Sequence, residues 1–298
     1  MTRWLRIPVV LALALGLAAT ACGDDDGGEQ AGRGGGGALT ELGSRLPEQI
    51  AEARTLKVGS DIAYAPVEFF KEGTQEAQGI DVDLCNAIVA TFGGGFTCTF
   101  QNTTFDGLIP ALNAKRFDVI MSALSDTKER QQAITLIDYF NAGTSILVRK
   151  GNPENIRSLD DLCGKTIGLQ RGTTQEELAN QQRETCRASG RELTVLTFDK
   201  DTDALLALKA GRTVADMNDF PVAAYNAKTS GNGNDFEVVG AQLDPAPYGI
   251  GVRKEDTALR DALQAGLRQI IANGTYDQVL QKWDVSQGAL KTATINGG

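Results

Sequence analysis

The chain has 298 residues, of which 42% are hydrophobic and 22% are charged, so it is long enough for one large or two modest domains. Its formal net charge is −9, which argues against nucleic acid or an anionic membrane surface as a partner. The sequence contains no histidine, which excludes Ser–His–Asp and Cys–His catalysis and most zinc sites. We expect neither a cofactor nor a metal ion.

The N-terminus has the composition of a targeting segment. Two arginines, Arg3 and Arg6, precede the apolar run IPVVLALALGLAATA, which is shorter than the ~20 residues that span a bilayer comfortably. Cys22 follows three small residues, which resembles a bacterial lipoprotein signal. We expect residues 1–21 to be a signal peptide and Cys22 to become an acylated first residue. The alternative is an ordinary signal peptide that is cut nearby, with Cys22 incidental.

A tether is predicted after this cysteine. The stretch GDDDGGEQAGRGGGG is acidic and rich in glycine, and it lacks apolar periodicity. Such a composition is typical of a flexible linker. We therefore predict that residues 22–50 are a flexible tether between the membrane and a folded domain.

Four further cysteines follow the tether, and an even number outside the membrane suggests disulfides. Three connectivities are possible for four cysteines. Local pairing is the simplest of them and would give the bridges Cys85–Cys98 and Cys163–Cys186. Buried free thiols are the alternative.

Strand-like runs alternate with helical patterns after residue ~50. The predicted strands are LKVGS, FTCTFQ, FDVIMS, KTIGLQ, LTVLTF, VADMND and YGIGVRKED. Helical patterns occupy the segments between them, and a helix start at DTKER could be capped by Asp126 or Thr127. The late segment 257–283 reads as two helices broken at Asn273–Gly274. This alternation predicts α/β architecture, with parallel sheets covered by helices on both faces.

One short internal repeat supports two similar lobes. The segment LNAKRFDVIMS (112–122) aligns without gaps with LKAGRTVADMN (208–218). Each passes from a helix end through a basic turn into a strand that contains methionine. The two strands end at Ser122 and Asn218. Ligands of open α/β sheets bind at the carboxyl ends of strands, so we expect polar residues there to face a ligand.

The first of these strands leads into IMSALSDTKER (120–130), which carries three hydroxyl side chains and a single arginine, Arg130. A surface that binds a polymer would need several positive charges. One arginine beside a turn rich in hydroxyls favours one small anion. The alternative is a surface arginine near the acidic residues Asp126 and Glu129.

Five segments occur in a characteristic order: LKVGSDIAYAPVEFF, GIDVDLCNAI, FDGLIPALNAKRFDVIMSALSDTKER, DLCGKTIGLQRGTTQEEL and NGTYDQVLQKW. Together they resemble the extracytoplasmic polar-amino-acid binding proteins of ABC importers, solute-binding protein family 3, over residues 54 to 284. The resemblance implies a two-lobed periplasmic-binding-protein-like fold of type II, in which two α/β lobes close on a ligand.

In that fold, each lobe is a mostly parallel sheet flanked by helices, and two crossover hinge segments join the lobes. The resemblance would assign residues 54–143 and 247–285 to lobe 1 and residues 144–246 to lobe 2. The crossings would lie near AGTSILV and DPAPYGIG. Residues 286–298 would form a C-terminal tail.

The resemblance also implies how a free amino acid would be held at its α-carboxylate. Arg130 would bind this carboxylate with a bidentate pair of hydrogen bonds, helped by backbone N–H groups around Ser125. Ala123, in the same loop, occupies a position that often carries Ser or Gly. The turn QRGTTQ opens a helix in lobe 2, where Thr173 and the N–H of Thr174 would supply the second contact.

The α-ammonium would be held by Asp219, with help from the hydroxyl of Ser122. The alternative for Asp219 is an N-cap on the helix FPVAAYNAK. The positions that would surround the side chain of the ligand are the flat aromatics Tyr64 and Phe105 and, at its far end, Asp61, Gln170 and Asn218. Each of these alone could be an ordinary core or rim residue.

Because the far end would offer an acid and no cation, we expect a polar or cationic ligand rather than an acidic one. Arg171 should point away from Gln170 by strand alternation. Besides Ala123, three positions depart from the family pattern. Val214 stands in place of an aspartate, Asp216 in place of a small or apolar residue, and Val67 in place of a phenylalanine.

The resemblance implies an extracytoplasmic, lipid-anchored, monomeric receptor that is not an enzyme and that passes an amino acid to an ABC permease and its ATPase. One alternative is a sensor that reports the ligand without transport. The other is an enzyme on the same fold, such as a dehydratase or a peptidoglycan-cleaving lyase. The lack of histidine and the complete amino-acid clamp argue against an enzyme.

Overall fold

The computed structural model describes residues 37–298. The predicted signal peptide, Cys22 and the first part of the predicted tether lie outside the described residues. Within residues 37–298, none of the helices combines the length and the apolar character needed to cross a membrane.

The strands carry the apolar runs seen in the sequence. In chain order they are β1 (Thr55–Ser60), β2 (Ala63–Tyr64), β3 (Glu68–Phe70), β4 (Ala77–Gln78), β5 (Thr97–Asn102), β6 (Val119–Ile120), β7 (Thr135–Arg149), β8 (Thr166–Gln170), β9 (Thr194–Phe198), β10 (Ala215–Asp219) and β11 (Phe236–Val252).

The helices lie before, between and after these strands. They are α1 (Glu48–Ala53), α2 (Ile80–Ala90), α3 (Leu108–Asn113), α4 (Lys128–Ala133), α5 (Thr174–Ala188), α6 (Asp201–Lys209), α7 (Phe220–Thr229), α8 (Thr257–Ala272) and α9 (Thr275–Lys282). The predicted break at Asn273–Gly274 separates α8 from α9. Gly274 has φ of 82°, a left-handed conformation that glycine adopts without steric cost.

Eight strands form one sheet in the order β5-β1-β6-β11-β7-β10-β8-β9, and β2, β3 and β4 form a small antiparallel sheet. Strands β5, β1 and β6 are parallel, as are β9, β8 and β10. Strand β11 is antiparallel to β6, and β7 is antiparallel to β10. The two halves of the sheet therefore have the same arrangement, and the repeated segments of the sequence end in β6 and β10, which occupy equivalent places.

The two halves are joined by the longest strands, β7 and β11, which pair with each other in antiparallel fashion. The predicted crossings AGTSILV and DPAPYGIG lie within them. Nearly every residue of β7 is buried, because this strand has neighbours on both sides at the centre of the sheet. The pairing shifts register between Val239 and Leu243 and again before Ala246, where the chain passes from one half to the other. The predicted two-lobed α/β fold is confirmed.

Each lobe has its own apolar core. In lobe 1, helix α2 packs its buried face, including Leu84 and Ile88, against the same cluster as Leu263 and Leu267 of α8. This matches the helical spacing of the apolar residues in both segments. In lobe 2, the core forms around β8, β10 and α5.

The predicted tether extends too far along the chain. Leu46 and Ile50 are buried in the core of lobe 1, and Leu39 forms an antiparallel bridge with Gly93. The apolar residues recur at intervals of three or four positions here, so this stretch packs against α8 and β1 rather than remaining a linker. The prediction of a flexible tether up to residue 50 is wrong for its last part.

Both disulfides have the predicted local pairing. Cys85 of α2 is bonded to Cys98 of β5, and Cys163 is bonded to Cys186 near the end of α5. The first bridge joins a helix to the edge strand of lobe 1. The second fastens the C-terminal part of α5, whose other end reaches the candidate site. The alternative of free thiols is wrong.

Candidate functional site

A narrow cavity lies between the two lobes, with about 300 Å³ of space between atoms when the part open to solvent is included. Ten of the twelve residues predicted to bind a ligand line it, and two further residues were not predicted. The lining consists of Asp61, Tyr64, Glu68, Phe105, Ala123, Ser125, Arg130, Gln170, Thr173, Thr174, Gln175 and Asp219.

The topology explains why these residues meet. Asp61 directly follows β1, Gln170 ends β8 and Asp219 ends β10. All three strands belong to parallel sets, and the carboxyl ends of parallel strands meet at one edge of a sheet. The two halves present these edges to each other, so residues that are distant in sequence converge on one cavity.

Arg130 is buried, with 9% of its surface exposed, so the alternative of a surface arginine is wrong. Its Nη1 donates to the main-chain oxygen of Ser125 (2.9 Å), and its Nη2 donates to that of Gly172 in lobe 2 (3.1 Å). The guanidinium lies 5.4 Å from the centre of the Phe105 ring. Burial lowers the pKa of Arg130, while nearby acids, first among them Glu177, oppose this shift. An arginine has five N–H donors, so three remain for a ligand.

Helix α4 sets the direction of this arginine. The Thr127 hydroxyl accepts a hydrogen bond from the Arg130 N–H (3.2 Å), which makes Thr127 the N-cap, one of the two residues predicted for that role. The helix ends at Ala133 because the chain enters β7 two residues later.

Lobe 2 contributes the start of α5. Thr173 is the N-cap, and its hydroxyl accepts from the Glu176 N–H (3.2 Å) and donates to the Gln170 main-chain oxygen (2.7 Å). Thr174 is the first helical residue and lines the cavity. The first N–H groups of a helix have no partner within it, and they favour anions. The two lobes thus place donors for an anion at the same cavity.

Asp219 stands at the N-cap position of α7, but its side chain makes no capping hydrogen bond. Its Oδ2 accepts from the Tyr64 hydroxyl (3.0 Å), and its Oδ1 accepts from Nε2 of Gln175 (2.9 Å). The alternative role of a helix cap is therefore wrong for this side chain. Burial raises the pKa of Asp219 to about 6, against the opposing effect of Tyr248, Tyr64 and Gln175.

At the other end of the cavity, Nε2 of Gln170 donates to Oδ2 of Asp61 (2.5 Å) and to the main-chain oxygen of Asp199 (3.0 Å). Both partners are acceptors, so the amide nitrogen must face them and Oε1 of Gln170 remains an acceptor. Burial raises the pKa of Asp61 to about 6, although the hydrogen bond from Gln170 and the charge of Lys200 oppose the shift. Arg171 pairs with Asp199 at the surface, as strand alternation predicts.

Two predicted residues do not line the cavity. Ser122 is fully buried, and its hydroxyl donates to Oε1 of Glu68 (2.9 Å) and accepts from the Asp61 N–H (2.9 Å). Asn218 precedes Asp219 in β10, and adjacent strand residues point to opposite faces of a sheet. Of these two neighbours, only Asp219 lines the cavity, and the ligand contacts of Ser122 and Asn218 stay predictions.

Asn218 instead bridges two buried acids in lobe 2. Its Nδ2 lies 3.1 Å from Oδ2 of Asp216 and 3.4 Å from Oδ1 of Asp201. Burial raises the pKa of Asp201 to about 7 and that of Asp216 well above its usual value. Asp216, which departs from the family pattern, is thus part of a buried acidic pair beside the site.

Two lining residues were missed by the sequence analysis. Gln175 orients Asp219 and also donates to the Thr144 hydroxyl (3.1 Å). Glu68 lies beneath the cavity, and burial, followed by the charge of Asp81, raises its pKa well above the usual value. The isolated acid in the apolar run APVEFF was a signal for Glu68. For Gln175, its place in the first turn of α5 was the signal.

Two α/β lobes with a polar cavity between them define a two-lobed solute-binding protein. The chain belongs to the bacterial extracellular solute-binding proteins, family 3, whose family model matches residues 56–286. The prediction of this family is confirmed.

Individual relatives agree with this assignment. The lysine/arginine/ornithine-binding periplasmic protein of Escherichia coli K12 is 34% identical over 251 residues, which cover 82% of this chain and 93% of that protein. The histidine-binding periplasmic protein of the same strain is 32% identical, covering 77% of this chain and 87% of that protein. The solved structure of an ancestral arginine-binding protein bound to arginine matches with a TM-score of 0.70 and 34% identity, covering 77% of this chain and 97% of that one.

Proposed function

We propose that the protein is an extracytoplasmic receptor that binds a cationic or polar L-amino acid between its lobes and delivers it to an ABC permease and its ATPase. The observation that carries this proposal is the presence of a buried arginine, Arg130, and a buried aspartate, Asp219, in the lining of one cavity. A free amino acid carries the two complementary charges.

The α-carboxylate would accept hydrogen bonds from the remaining N–H groups of Arg130 and from the N–H of Thr174. An arginine and a carboxylate form strong bidentate pairs, and a helix start adds a favourable dipole. Arg130 belongs to lobe 1 and Thr174 to lobe 2, so one anion would be held from both sides.

The α-ammonium would donate to Asp219, whose carboxylate is oriented by Tyr64 and Gln175. A buried carboxylate gains stability from an opposite charge, because burial disfavours its ionised form. An ammonium at this place would therefore lower the pKa of Asp219 from about 6 toward its ordinary range.

The ligand side chain would extend toward Asp61 and Gln170, beside Phe105. This end offers the Asp61 carboxylate and the free Oε1 of Gln170, both acceptors, which favours a group with several N–H donors. An acidic side chain would bring a like charge close to Asp61. The relatives named for lysine, arginine, ornithine and histidine support a cationic ligand.

Binding would proceed by a shift between open and closed arrangements of the lobes. A ligand that contacts both lobes does so fully only when they are close, so its binding energy favours closure. No covalent bond changes. The relatives that match are named as binding proteins, which supports this reading over an enzyme. Anchoring through acylated Cys22 and a monomeric state belong to the same proposal.

Calorimetry of the exported protein with the proteinogenic amino acids tests the proposal. With the ligand that binds best, Arg130→Ala should weaken binding by roughly 2–5 kcal/mol, because a desolvated carboxylate loses its partner. The matched control is Arg171→Ala, which removes an arginine close to the site but paired at the surface, and it should change affinity less than about threefold. Binding of the Arg130→Ala protein within threefold of the unmodified protein would contradict the proposed role.

A further inference from the structure

The last residues of the chain lie beyond the family match, which ends at residue 286, yet they pack closely on lobe 1. In the C-terminal segment, residues 293–298, Ile295 forms an antiparallel bridge with Ile137 of β7. The Asp138 N–H donates to the main-chain oxygen of Thr294 (2.9 Å), and the Asn296 N–H donates to that of Leu136 (2.9 Å). The segment thus extends the sheet beside the lobe 1 part of β7.

The start of the segment is held by helix α8. Ala293 is 1% exposed, and its main-chain oxygen accepts from Nε2 of Gln264 (2.9 Å) and from Nη2 of Arg268 (3.4 Å). Oδ1 of Asn296 also accepts from the Leu136 N–H (2.9 Å). These contacts fix the register of the segment, so its last residues are directed to one place.

That place is the loop before α4. The Gly298 N–H donates to Oδ2 of Asp126 (3.1 Å), and its main-chain oxygen accepts from Nζ of Lys128 (2.6 Å). Nε2 of Gln131 donates both to Oδ1 of Asp126 (2.8 Å) and to the Gly298 oxygen (3.2 Å). A Cβ atom at Gly298 would overlap the main-chain oxygen of Asp126, so a glycine is needed for this approach.

Asp126 lies between the two residues that hold Arg130. Ser125 accepts from the guanidinium through its main-chain oxygen (2.9 Å), and Thr127 accepts from the Arg130 N–H (3.2 Å). On the opposite side, the Asp126 N–H donates to the main-chain oxygen of Pro247 in β11 (2.7 Å). The loop is therefore held between a crossing strand and the C-terminal segment.

We propose that the C-terminal segment is a positioning element for the carboxylate-binding loop, and that its contacts to Asp126 hold Ser125 and Arg130 in the orientation that receives the ligand. This inference rests on the proposed function of Arg130. If the segment only covered the edge of β7, it would stabilise lobe 1 as a whole. Its loss would then not affect the binding of the ligand carboxylate more than the binding of the ligand side chain.

Removing the residues after Asn296 distinguishes positioning of the loop from mere covering of the edge of β7. It removes the contacts of Gly298 to the loop and one hydrogen bond to β7, from the Gly297 N–H to Oδ2 of Asp138 (3.1 Å). It keeps the bridge at Ile295 and the two hydrogen bonds of Asn296 to Leu136. The affinity for L-arginine is measured by calorimetry in three backgrounds: the unmodified chain, Arg130→Lys and Asp61→Asn. Hydrogen exchange of the amides from Ser125 to Arg130 is compared between the full and the shortened chain.

In the unmodified background, the shortened chain should bind L-arginine about tenfold more weakly, an effect typical of coupled neighbours. The loss should disappear with Arg130→Lys and persist with Asp61→Asn, and the loop amides should exchange faster. An affinity within twofold of the full chain, or an equal loss in both variant backgrounds, would overturn the inference.

If the full chain binds no amino acid, the proposed function is wrong. The exchange data then show by themselves whether the C-terminal segment positions the loop. Faster exchange in the loop supports it, and unchanged exchange overturns it.

Discussion

Two hydrogen bonds across the cavity join Tyr64 to Asp219, which lies 155 positions further along the chain. The hydroxyl donates to Oδ2 of Asp219 (3.0 Å) and accepts from the Asp219 N–H (2.9 Å). Tyr64 belongs to lobe 1 and Asp219 to lobe 2, so one hydroxyl both joins the lobes and orients the proposed acceptor of the α-ammonium.

Tyr64→Phe should therefore weaken ligand binding while the ring remains in the cavity wall. The substitution leaves the N–H and one oxygen of Asp219 without their partner in a buried place, which costs roughly 1–3 kcal/mol. Calorimetry with the best ligand measures the effect. Tyr225→Phe, a partly exposed tyrosine on α7, is the matched control and should bind normally. Unchanged affinity of Tyr64→Phe would show that the hydroxyl does not organise the site.

Much of the fold can be predicted from the sequence, because the order and the ends of its helices and strands depend on local periodicity. The order of strands and helices, the break at Asn273–Gly274 and the N-cap at Thr127 all rest on patterns a few residues long. Gln170 and Asp219 come close together because their strands end at one edge of a parallel set. That Asp61 of the other lobe faces them was implied by the family resemblance.

What was missed depends on contacts between distant segments. The hydrogen bond from Gln175 to Asp219 joins residues 44 positions apart, and no local pattern of residues predicts it. Ser122 was assigned to the ligand because the sequence cannot show that Glu68 takes its hydroxyl. The packing of Leu46 and Ile50 could have been recognised, since their helical spacing was present but was outweighed by the glycine-rich composition before them.

The ligand should be cationic or polar, with Asp61 as the group that recognises a positive side chain. Asp61→Asn should weaken binding of L-arginine or L-lysine by about tenfold or more and that of L-glutamine less, because only the cations lose a charge-assisted hydrogen bond. Calorimetry with arginine, lysine, histidine, glutamine, glutamate and aspartate measures this order. Asp199→Asn changes an acid that pairs with Arg171 at the surface and serves as the control. Tightest binding to glutamate or aspartate would refute the prediction.

Affinity for a cationic ligand should fall as the pH is lowered through about 6. Burial raises the pKa of both Asp61 and Asp219 to about 6, and a cation needs both groups ionised. At pH 7.5 the carboxylates are ready to bind, whereas at pH 5 the ligand must displace protons from them. Titrations at both pH values, in buffers of different ionisation enthalpy, should show weaker binding and proton release at pH 5. Equal or tighter binding at pH 5 would contradict this account.

Cys22, which lies outside the described residues, should carry the membrane anchor. Because acylation of this cysteine is proposed from the preceding signal-like run, Cys22→Ala should move the protein into the soluble fraction and abolish labelling with fatty-acid probes. Fractionation of the bacterial host measures both effects. Continued labelling and membrane association of the Cys22→Ala protein would show that another residue or segment provides the anchor.

The stability of the protein without added ligand should change with pH in the opposite direction to its affinity. Burial raises the pKa of Asp201 to about 7 and that of Asp216 well above its usual value, so the folded state holds protons that the unfolded state releases above pH ~4. Stability therefore decreases as the pH rises wherever the folded state binds more protons. The contribution of these acids is fully present below pH ~4, and it is lost as the pH rises from there through their folded-state pKa values.

Asp216→Asn tests this relation because an amide can keep the contact to Asn218 without a charge. The substitution should raise the free energy of unfolding at pH 7.5 by roughly 1–3 kcal/mol, because burying a polar group without adequate partners costs about that much. At pH 5 it should change the free energy of unfolding little. Urea denaturation at the two pH values measures the difference. Asp203→Asn, in the first turn of α6, is an exposed control and should leave the pH dependence intact. If Asp216→Asn destabilises the protein equally at both pH values, the buried pair is held ionised and its charge is compensated by the surrounding lobe.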